Sequence, residues 1–359
     1  MGAEERLNGL ARPTRCNQRH RPRCRRSPSR EIRPGDGRSN AISKTDRLGC
    51  KGWGLNLSKP PRGHEPPSRT VQRYLSTNDA DRSLGQNFLI DSLPISKSLE
   101  FSESMGLCNQ STVLEIGPGP GTLTSAVLAI GAKVIAIEIS PDALDFLESE
   151  ISDPHLSLVN GDALDVRWPD GLTHVIANIP YGISSPLLAK IQDYHQNSPL
   201  RGVCVLVQRE FGNRMVMKTP PKDRGPLGIS LWLDFDCTVV LDVPRSSFRP
   251  QPEVDSSVIG MKPVSRGHIS EEERVRIRAL SSWCFGRRRK KIRTSLKSTP
   301  NPVQRVLGIS RLEWDHRVES LERLSGAFSD LIQRRPEELE PESWVKLSRM
   351  VVEELDLPE

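Results

Sequence analysis

From residue 112 onward, short apolar runs alternate with stretches in which apolar residues recur at helical spacing. Five runs have the length of a β-strand, namely residues 112–116, 133–139, 156–159, 174–177 and 202–207. Residues 123–130 suit a helix that ends at Gly131. Strands that alternate with helices predict a parallel sheet with helices on both faces. Ligands of such a sheet bind beyond the carboxyl ends of its strands.

The C-terminal part of the chain has a helical period. Ser270 followed by Glu273 is typical of a capping box, and it predicts a helix that continues into the basic run 287–291. A last helix is expected around residues 342–355, where Trp344 and later apolar residues have core spacing. The pattern therefore predicts an α/β region followed along the chain by a helical region.

Composition adds a third region at the N-terminus. Residues 1–80 contain eighteen Lys and Arg against seven Asp and Glu, a net charge of +11, which leaves −5 for residues 81–359. The first segment is rich in Arg, Pro, Ser and Gly and has no apolar period, so we expect disorder there. It is interpreted either as an arm for RNA phosphates or as a targeting leader or extension without a role.

The domain organisation follows from these patterns. The chain of 359 residues has room for two to three domains. We predict a disordered basic tail at 1–81, an α/β domain at 82–264 and a smaller helical domain at 265–359.

Several protein classes are unlikely on this sequence. No apolar run approaches the roughly 18–20 residues that span a bilayer, and no charged-then-apolar leader opens the chain. The seven cysteines are widely spread and form no C-x-x-C pair, which argues against a disulfide framework and a zinc ribbon. Cys16, His20 and Cys24 lack a fourth ligand at finger spacing, so no metal is expected. A reducing, cytoplasmic location is expected, with an organelle as the alternative if the tail is a transit peptide.

The turn after the first predicted strand is rich in glycine. Gly117, Gly119 and Gly121 occupy alternate positions there. Such a turn lets a ligand approach the backbone closely, but NAD, FAD, a nucleoside and a plain tight turn all remain open. Glu138 ends the next strand, where a carboxylate can accept both hydroxyls of a ribose. Asp162, after the third strand, is placed to accept from an adenine amine.

The segment after the fourth strand is the most specific feature. Asn178 can accept a hydrogen of a planar amine, and Pro180 fixes the backbone so that a carbonyl can accept the other. Tyr181 offers a face on which a base can stack. Phe248, on a proline-rich loop, offers a second aromatic face. The structural alternatives are a strand-to-loop turn with a core tyrosine and a connector with a packed phenylalanine.

Together these motifs resemble the rRNA adenine N6,N6-dimethyltransferase family, a branch of the S-adenosylmethionine-dependent methyltransferases. The resemblance covers roughly residues 82–359. It rests on LGQNFL at 84–89, EIGPGPG at 115–121, Glu138, Gly161-Asp162, NIPYGISSP at 178–186, VQREF at 207–211 and SFRPQPEVDSSV at 247–258. It implies a Rossmann-like α/β methyltransferase sheet with a smaller helical C-terminal domain. Gly182 and the basic run make the chain look closer to archaeal members.

The resemblance also implies roles for individual residues. Cofactor binding is expected of Gln86, Asn87, Leu89, Gly117, Gly119, Glu138, Asp162, Ala163 and Asn178. The target adenine is expected to face Asn178, Pro180, Tyr181 and Phe248. RNA binding is expected of Arg287, Arg288, Arg289, Lys290 and Lys291, because the region after the tail is otherwise acidic.

The implied enzyme uses S-adenosylmethionine to dimethylate the N6 amines of two adjacent adenosines near the 3′ end of small-subunit rRNA. It would act as a monomer on the immature small ribosomal subunit, without a membrane or a metal. One alternative is a catalytically silent ribosome-assembly or transcription factor with the same fold. The other is a large-subunit rRNA adenine methyltransferase, which shares the Asn-Ile-Pro-Tyr pattern.

Overall fold

The computed structural model describes residues 65–81, 83–298, 301–323 and 327–352. Most of the predicted tail, including Cys16, His20 and Cys24, lies outside the described residues. The strands are β1 (Phe88–Leu89), β2 (Thr112–Ile116), β3 (Lys133–Glu138), β4 (Leu156–Asn160), β5 (His174–Asn178), β6 (Gly202–Gln208), β7 (Phe235–Val243), β8 (Phe248–Arg249) and β9 (Ser256–Pro263).

Seven of these strands form one sheet in the order β4-β3-β2-β5-β6-β9-β7. The strands from β4 to β6 in this order run parallel, and β9 lies antiparallel between β6 and β7. β1 and β8 form a separate antiparallel pair. All five predicted strands are therefore confirmed, with ends that differ by at most one residue.

Helices cover this sheet because its strands are apolar on both faces. Successive residues of a strand point to opposite faces. On one face, Leu114 accordingly packs in a buried cluster with Leu187 of the helix Ser184–Asn197. On the other face, its neighbour Val113 packs in a second cluster with Leu99 and Val127. The surrounding helices are α1 (Pro67–Thr77), α2 (Ser92–Ser104), α3 (Thr122–Leu128), α4 (Pro141–Glu150), α5 (Ser184–Asn197), α6 (Arg209–Val216) and α7 (Pro226–Trp232).

The expected disorder of residues 1–81 is wrong for α1. Val71 and Tyr74 of this helix are buried. The Tyr74 ring packs edge-on against Phe88 and Phe146, with centroid distances of 5.2 Å to each. A basic, proline-rich composition averaged over the whole segment conceals this short amphipathic stretch.

The C-terminal part consists of α8 (Glu271–Phe285), α9 (Ile292–Lys297), α10 (Asn301–Leu307), α11 (Arg311–Arg323), α12 (Ala327–Gln333) and α13 (Pro341–Met350). These helices have their own apolar core, in which Trp314 and Trp344 are fully buried. Ile229 and Leu233, at and just after α7, pack into the same core and join it to the sheet. Leu355, which the sequence assigned to the last helix, lies outside the described residues.

The predicted capping box of α8 is confirmed. The Glu273 N–H donates to the Ser270 hydroxyl, and the Glu273 carboxylate accepts from the Ser270 N–H at 2.7 Å. The expectation that α8 continues through residues 287–291 is wrong. The helix ends at Phe285, and the buried Ile292 begins α9. The basic run therefore lies in the turn between two helices.

Candidate active site

A cavity of about 420 Å³ opens at the carboxyl ends of β2, β3, β4 and β5, where the sequence places a ligand. Parallel strands bring residues from distant parts of the chain to this edge. Of the expected cofactor-binding residues, the cavity is lined by Gln86, Asn87, Gly117, Gly119, Glu138, Asp162, Ala163 and Asn178. Pro180 and Tyr181 line the same cavity.

The glycine-rich turn has a backbone that other residues rarely adopt. Gly117, Gly119 and Gly121 have φ values of +64°, +53° and +81°. A Cβ atom on Gly119 would lie 2.9 Å from Cε1 of Phe88. The Phe88 ring therefore excludes a side chain at Gly119, which keeps the backbone bare at the cavity wall.

Glu138 ties the end of β3 to this turn. One carboxylate oxygen accepts from the Gly119 N–H at 3.0 Å, and the other accepts from the N–H groups of Ile139 and Ser140 at 2.9 Å each. A carboxylate has about four acceptor positions. These three backbone bonds leave about one position for a ribose hydroxyl, fewer than acceptance of both hydroxyls requires.

Lys190 of α5 holds the loop that follows β4. Its ammonium group donates to the carbonyls of Ala163, Leu164 and Val166 at 2.8, 2.8 and 2.7 Å. The Asp162 carboxylate accepts from the Leu164 N–H at 2.8 Å within the same loop. Lys190 could not be predicted from the sequence, because a single lysine on a helix carries no local signal of the groups that it will contact.

Asn178 has a fixed orientation at the end of β5. Its side-chain NH₂ donates to the Asn87 carbonyl at 3.0 Å. The amide oxygen is thereby left as the acceptor, and it takes no hydrogen bond from the described part of the chain. This atom is the one that the sequence analysis expects to accept from an amine.

Tyr181 separates the first cavity from a second one of about 460 Å³. The second cavity shares Gly85, Gln86, Asn87 and Tyr181 with the first and adds Gln208, Pro250, Gln251, Pro252, Glu253 and Val254. The Tyr181 hydroxyl is hydrogen-bonded to that of Ser256 on β9 at 2.8 Å. Burial raises the pKa of Tyr181, so its ring stays neutral at physiological pH.

Two expected site residues line neither the 420 Å³ cavity nor the 460 Å³ cavity. Phe248 is 2% exposed and Leu89 is 7% exposed, and both side chains belong to the apolar core. They oppose each other in the β1–β8 pair. The hypothesis that Phe248 offers a stacking face is wrong for this structure, because its ring packs inward. The side chain of Leu89 likewise does not reach the 420 Å³ cavity.

Sequence reasoning missed the apolar wall of the cavity. Ile116, Ile137, Ile139 and Ile183 all line it. Ile139 is 46% exposed although it directly follows a buried strand. An exposed apolar residue next to Glu138 would pack against a planar base, and its place at the carboxyl end of the predicted strand 133–139 was the available signal.

Some cations of the basic run are hydrogen-bonded within the protein, and others, here called open cations, make no side-chain bond to the described residues. Arg288 pairs with the Glu337 carboxylate and donates to the carbonyls of Pro221 and Lys222 at 3.1 and 2.8 Å. Lys291 donates to the Gln333 side chain at 3.2 Å. Arg289 and Lys290 are exposed and make no side-chain bond or ion pair with the described residues. Arg288 is therefore poorly placed for the phosphate contact expected of it.

The cavity suits a cationic nucleoside. It combines bare glycine backbone, apolar isoleucines and the carboxylates of Glu138 and Asp162. S-adenosylmethionine has an adenosine part and a positive sulfonium centre, so these residues fit it. No group of His, Cys, Asp and Glu in the described ranges is arranged to hold a metal ion. Those ranges also contain no helix with the length and apolarity of a membrane span.

Comparison with known proteins agrees with this geometry. A family model described as ribosomal RNA adenine dimethylase matches residues 77–326. A ribosomal RNA small subunit methyltransferase A from Sinorhizobium fredii is 36% identical over 268 residues, which cover 71% of this chain and 86% of that protein. A probable ribosomal RNA small subunit methyltransferase A from Methanopyrus kandleri is 34% identical over 276 residues, with coverage of 75% and 91%. The crystal structure of a dimethyladenosine transferase from Plasmodium falciparum has a TM-score of 0.59 and 26% identity, and covers 72% of this chain and 95% of that one.

Proposed function

The chain belongs to the ribosomal RNA adenine dimethylase family, and from that membership we propose the reaction, the substrate and the residues that act. The protein is an S-adenosylmethionine-dependent methyltransferase of small-subunit rRNA adenines. Its targets are the exocyclic N6 amines of two adjacent adenosines near the 3′ end of that RNA. The observation that carries the proposal is the amide oxygen of Asn178, which takes no hydrogen bond from the described residues and lies in the wall of the 420 Å³ cavity near Tyr181, the residue that borders both cavities.

The 420 Å³ cavity holds the cofactor in this proposal. Glu138 accepts from the ribose, Asp162 accepts from the adenine amine, and Gln86, Asn87 and Ala163 complete the wall with the glycine-rich turn. When bound, S-adenosylmethionine supplies a methyl group that its sulfonium has already activated. Ile139 covers one face of its base. The side chain of Leu89 is left out of this set because it is buried in the core.

The 460 Å³ cavity receives the target adenine. An adenine has to leave its stack to reach it, which costs a few kcal/mol, and the Tyr181 ring offsets part of that cost. The Asn178 amide oxygen accepts one N6 hydrogen, and a backbone carbonyl of the Asn178–Pro180 turn accepts the other. These two acceptors favour the pyramidal amine of the transition state over the planar amine of the ground state.

Alignment is the main contribution of these residues. Fixed placement of two reactants can lower a barrier by about 7–11 kcal/mol. Asn178 is held by Asn87, and Tyr181 is held by Ser256, so both meet the base in a set geometry. No strong base is required of the chain, since the amine becomes acidic once it is methylated.

Arg289 and Lys290 hold RNA phosphates in this proposal, with Arg287 and Lys291 beside them on the helical region 265–359. The protein acts as a monomer on the immature small subunit. Its location in this proposal is the cytoplasm, with an organelle as the alternative. Its relatives from a bacterium and an archaeon do not favour a silent assembly factor or a large-subunit enzyme.

The test is methyl transfer to unmethylated small-subunit particles, with primer extension to map dimethyladenosine. We expect two adjacent stops near the 3′ end with wild-type protein. Asn178→Ala is expected to lose most methyl transfer and to keep its RNA affinity, because the phosphate contacts are remote. Stops elsewhere in the RNA, or full activity of Asn178→Ala, would contradict the proposal.

A further inference from the structure

A third recess lies in the helical part, outside both cavities of the active site. It is a groove of about 410 Å³ between the end of α8 and the start of α10. We call it the Trp283 groove, and its lining is Ala279, Ser282, Trp283, Gly286, Arg287 and Pro302. Its volume lies within the range of about 300–1,000 Å³ that is usual for small-molecule sites. Of its lining residues, the sequence indicated a role for Arg287 alone.

Trp283 is a fixed planar surface in this groove. Its indole N–H donates to the Ser295 carbonyl at 2.9 Å, which sets the orientation of the ring. The Arg287 guanidinium lies over the ring, 4.5 Å from its centroid, and also bonds to the Ser298 hydroxyl. The side chain is partly exposed, whereas Trp314 and Trp344 in the neighbouring core are fully buried. Trp283 therefore packs against that core with part of its side chain and lines the groove with the rest.

The charge around the groove is positive. Arg287, Arg289 and Lys290 are exposed on the turn that borders it, and no carboxylate lines it. Proteins that bind single-stranded RNA combine such cations with aromatic or guanidinium planes on which bases stack. Cations alone suffice for a phosphate, so the rigid aromatic plane points to a planar ligand.

We propose that the Trp283 groove binds one unpaired base of the substrate RNA, stacked on the Trp283–Arg287 pair, while Arg289 and Lys290 contact the flanking phosphates. This inference rests on the proposed function, because it takes ribosomal RNA as the substrate. It adds a base contact to a surface that would otherwise recognise only charge. The RNA is then held at two places, at the target adenine and at this base.

The test compares full-length Trp283→Leu, Trp283→Phe and wild-type protein for binding to an unmethylated small-subunit rRNA transcript at several KCl concentrations. Stacking of one base contributes about 1–3 kcal/mol, so Trp283→Leu is expected to raise Kd by roughly 5- to 150-fold. The slope of log Kd against log salt should stay unchanged, because no cation is lost. Trp283→Phe should recover most of the affinity. Trp232→Leu is the matched control, since Arg266 lies 4.1 Å over that ring outside the groove.

An unchanged Kd in Trp283→Leu would overturn the base site while leaving methyl transfer, and with it the proposed function, intact. A flatter salt slope in Trp283→Leu would also overturn it, since Trp283 would then only orient Arg287. If Trp283→Leu does not fold, fluorescence decides. The transcript should quench the emission that wild-type protein has in excess of Trp283→Phe, and absence of quenching would refute stacking. Failure of wild-type protein to methylate unmethylated small-subunit particles would instead refute the proposed function.

Discussion

Glu115 is an acid without a full set of partners beneath the glycine-rich turn. It is 2% exposed, and one carboxylate oxygen has no hydrogen-bond partner within the described ranges. Burial raises its pKa to about 8, with a smaller contribution from Glu138. At physiological pH the folded protein therefore holds a proton on Glu115 that the unfolded chain has released.

This shift gives stability a pH dependence of definite sign. A raised pKa in the folded state means that the stabilisation is complete below about 4.5 and is lost as the pH rises to about 8. The loss amounts to about 1.4 kcal/mol per pH unit within that window. Glu115→Gln should flatten urea-unfolding free energies between pH 6.5 and 8. An equally steep decline in that variant would assign the dependence to another group.

His174 gives stability a pH dependence of the opposite sign, and it sets the lowest pH at which the Glu115 effect can be measured alone. It is fully buried on β5, and burial lowers its pKa to about 4. Its contribution to stability is present above about 6.5 and is lost as the pH falls to about 4. Between pH 4.5 and 6.5 the two groups offset each other, so the Glu115 effect is seen alone only above 6.5.

Lys190 is expected to matter for the cofactor. Lys190→Met removes three charged hydrogen bonds from the loop that carries Asp162 and Ala163. If the less ordered loop weakens the binding free energy of S-adenosylmethionine by about 1.5 kcal/mol, its Kd rises about tenfold. Calorimetry measures this, with Lys97→Met as the control because Lys97 pairs only with the exposed Glu100. Equal affinities in both variants would leave Lys190 with a purely structural role.

The sequence motifs predicted those site residues whose position is set by the backbone of a strand. Asn178 and Glu138 are at strand ends, and their placement follows from the strand pattern alone. Phe248 and Leu89 were misplaced, because the face that a two-residue strand turns inward depends on its partner. Lys190 was missed, since its targets are more than twenty residues away along the chain.

At the scale of elements, the turn between α8 and α9 concentrates the cations. Gly286 follows the last residue of α8, and Ile292 and Leu296 are buried on the next helix. The chain must change direction between them, so the five basic residues extend from a bend and not from one helix face. A count of charges in the sequence reveals this basic run, but it does not show which of the five side chains are bonded within the protein.

Loss of the two open cations, Arg289 and Lys290, should weaken RNA binding and make its affinity less sensitive to salt. Arg289→Ala with Lys290→Ala is expected to reduce the slope of log Kd against log salt by about 1.4–1.8, since each phosphate contact contributes about 0.7–0.9. Arg288→Ala is the matched control, because its guanidinium is tied to Glu337 and two carbonyls. Filter binding to the small-subunit transcript gives both slopes. A larger change for Arg288→Ala would reverse this assignment.

The secondary structure was largely predictable, and the reason is periodicity. Buried parallel strands are continuous apolar runs, and the capping box marks the start of α8 without ambiguity. α1 escaped prediction because only Val71 and Tyr74 mark its buried face. The end of α8 escaped prediction because the basic residues after Gly286 are compatible with a helix. In the structure the Ile292 N–H instead bonds to the Arg334 carbonyl at 2.9 Å, a contact that is distant along the chain.

At the scale of the whole molecule, one buried acid joins the sheet region to the helical region. Asp234 is 4% exposed. It accepts from Arg274 at 2.5 Å and Arg278 at 3.0 Å, both on α8, and from Gln192 on α5 at 2.6 Å. This junction fixes the basic turn relative to the active site.

Asp234→Asn should therefore destabilise the protein strongly. It removes the buried counter-charge of Arg274 and Arg278 and leaves them only the exposed Glu271, at 3.9 and 3.8 Å, among the described residues. Loss of a buried partner typically costs about 3–5 kcal/mol. The control is Asp236→Asn, because Asp236 is 55% exposed in its pair with Arg266 and should contribute about 0–1 kcal/mol. Urea unfolding of both variants measures the difference. Equal losses would show that Asp234 does not hold this junction together.

The insertion of β9 between β6 and β7 has a consequence for protein synthesis. Until residue 263 has been added, β6 has an unpaired edge in the middle of the future sheet, and Tyr181 lacks its Ser256 partner. The first two-thirds of the nascent chain can collapse but cannot close its sheet. A chain that stops before residue 256 would expose that edge to other chains and aggregate. We therefore expect the enzyme to become competent only after residue 263 of its 359 residues has been added, so that a half-made copy cannot act on the ribosomal RNA that it modifies.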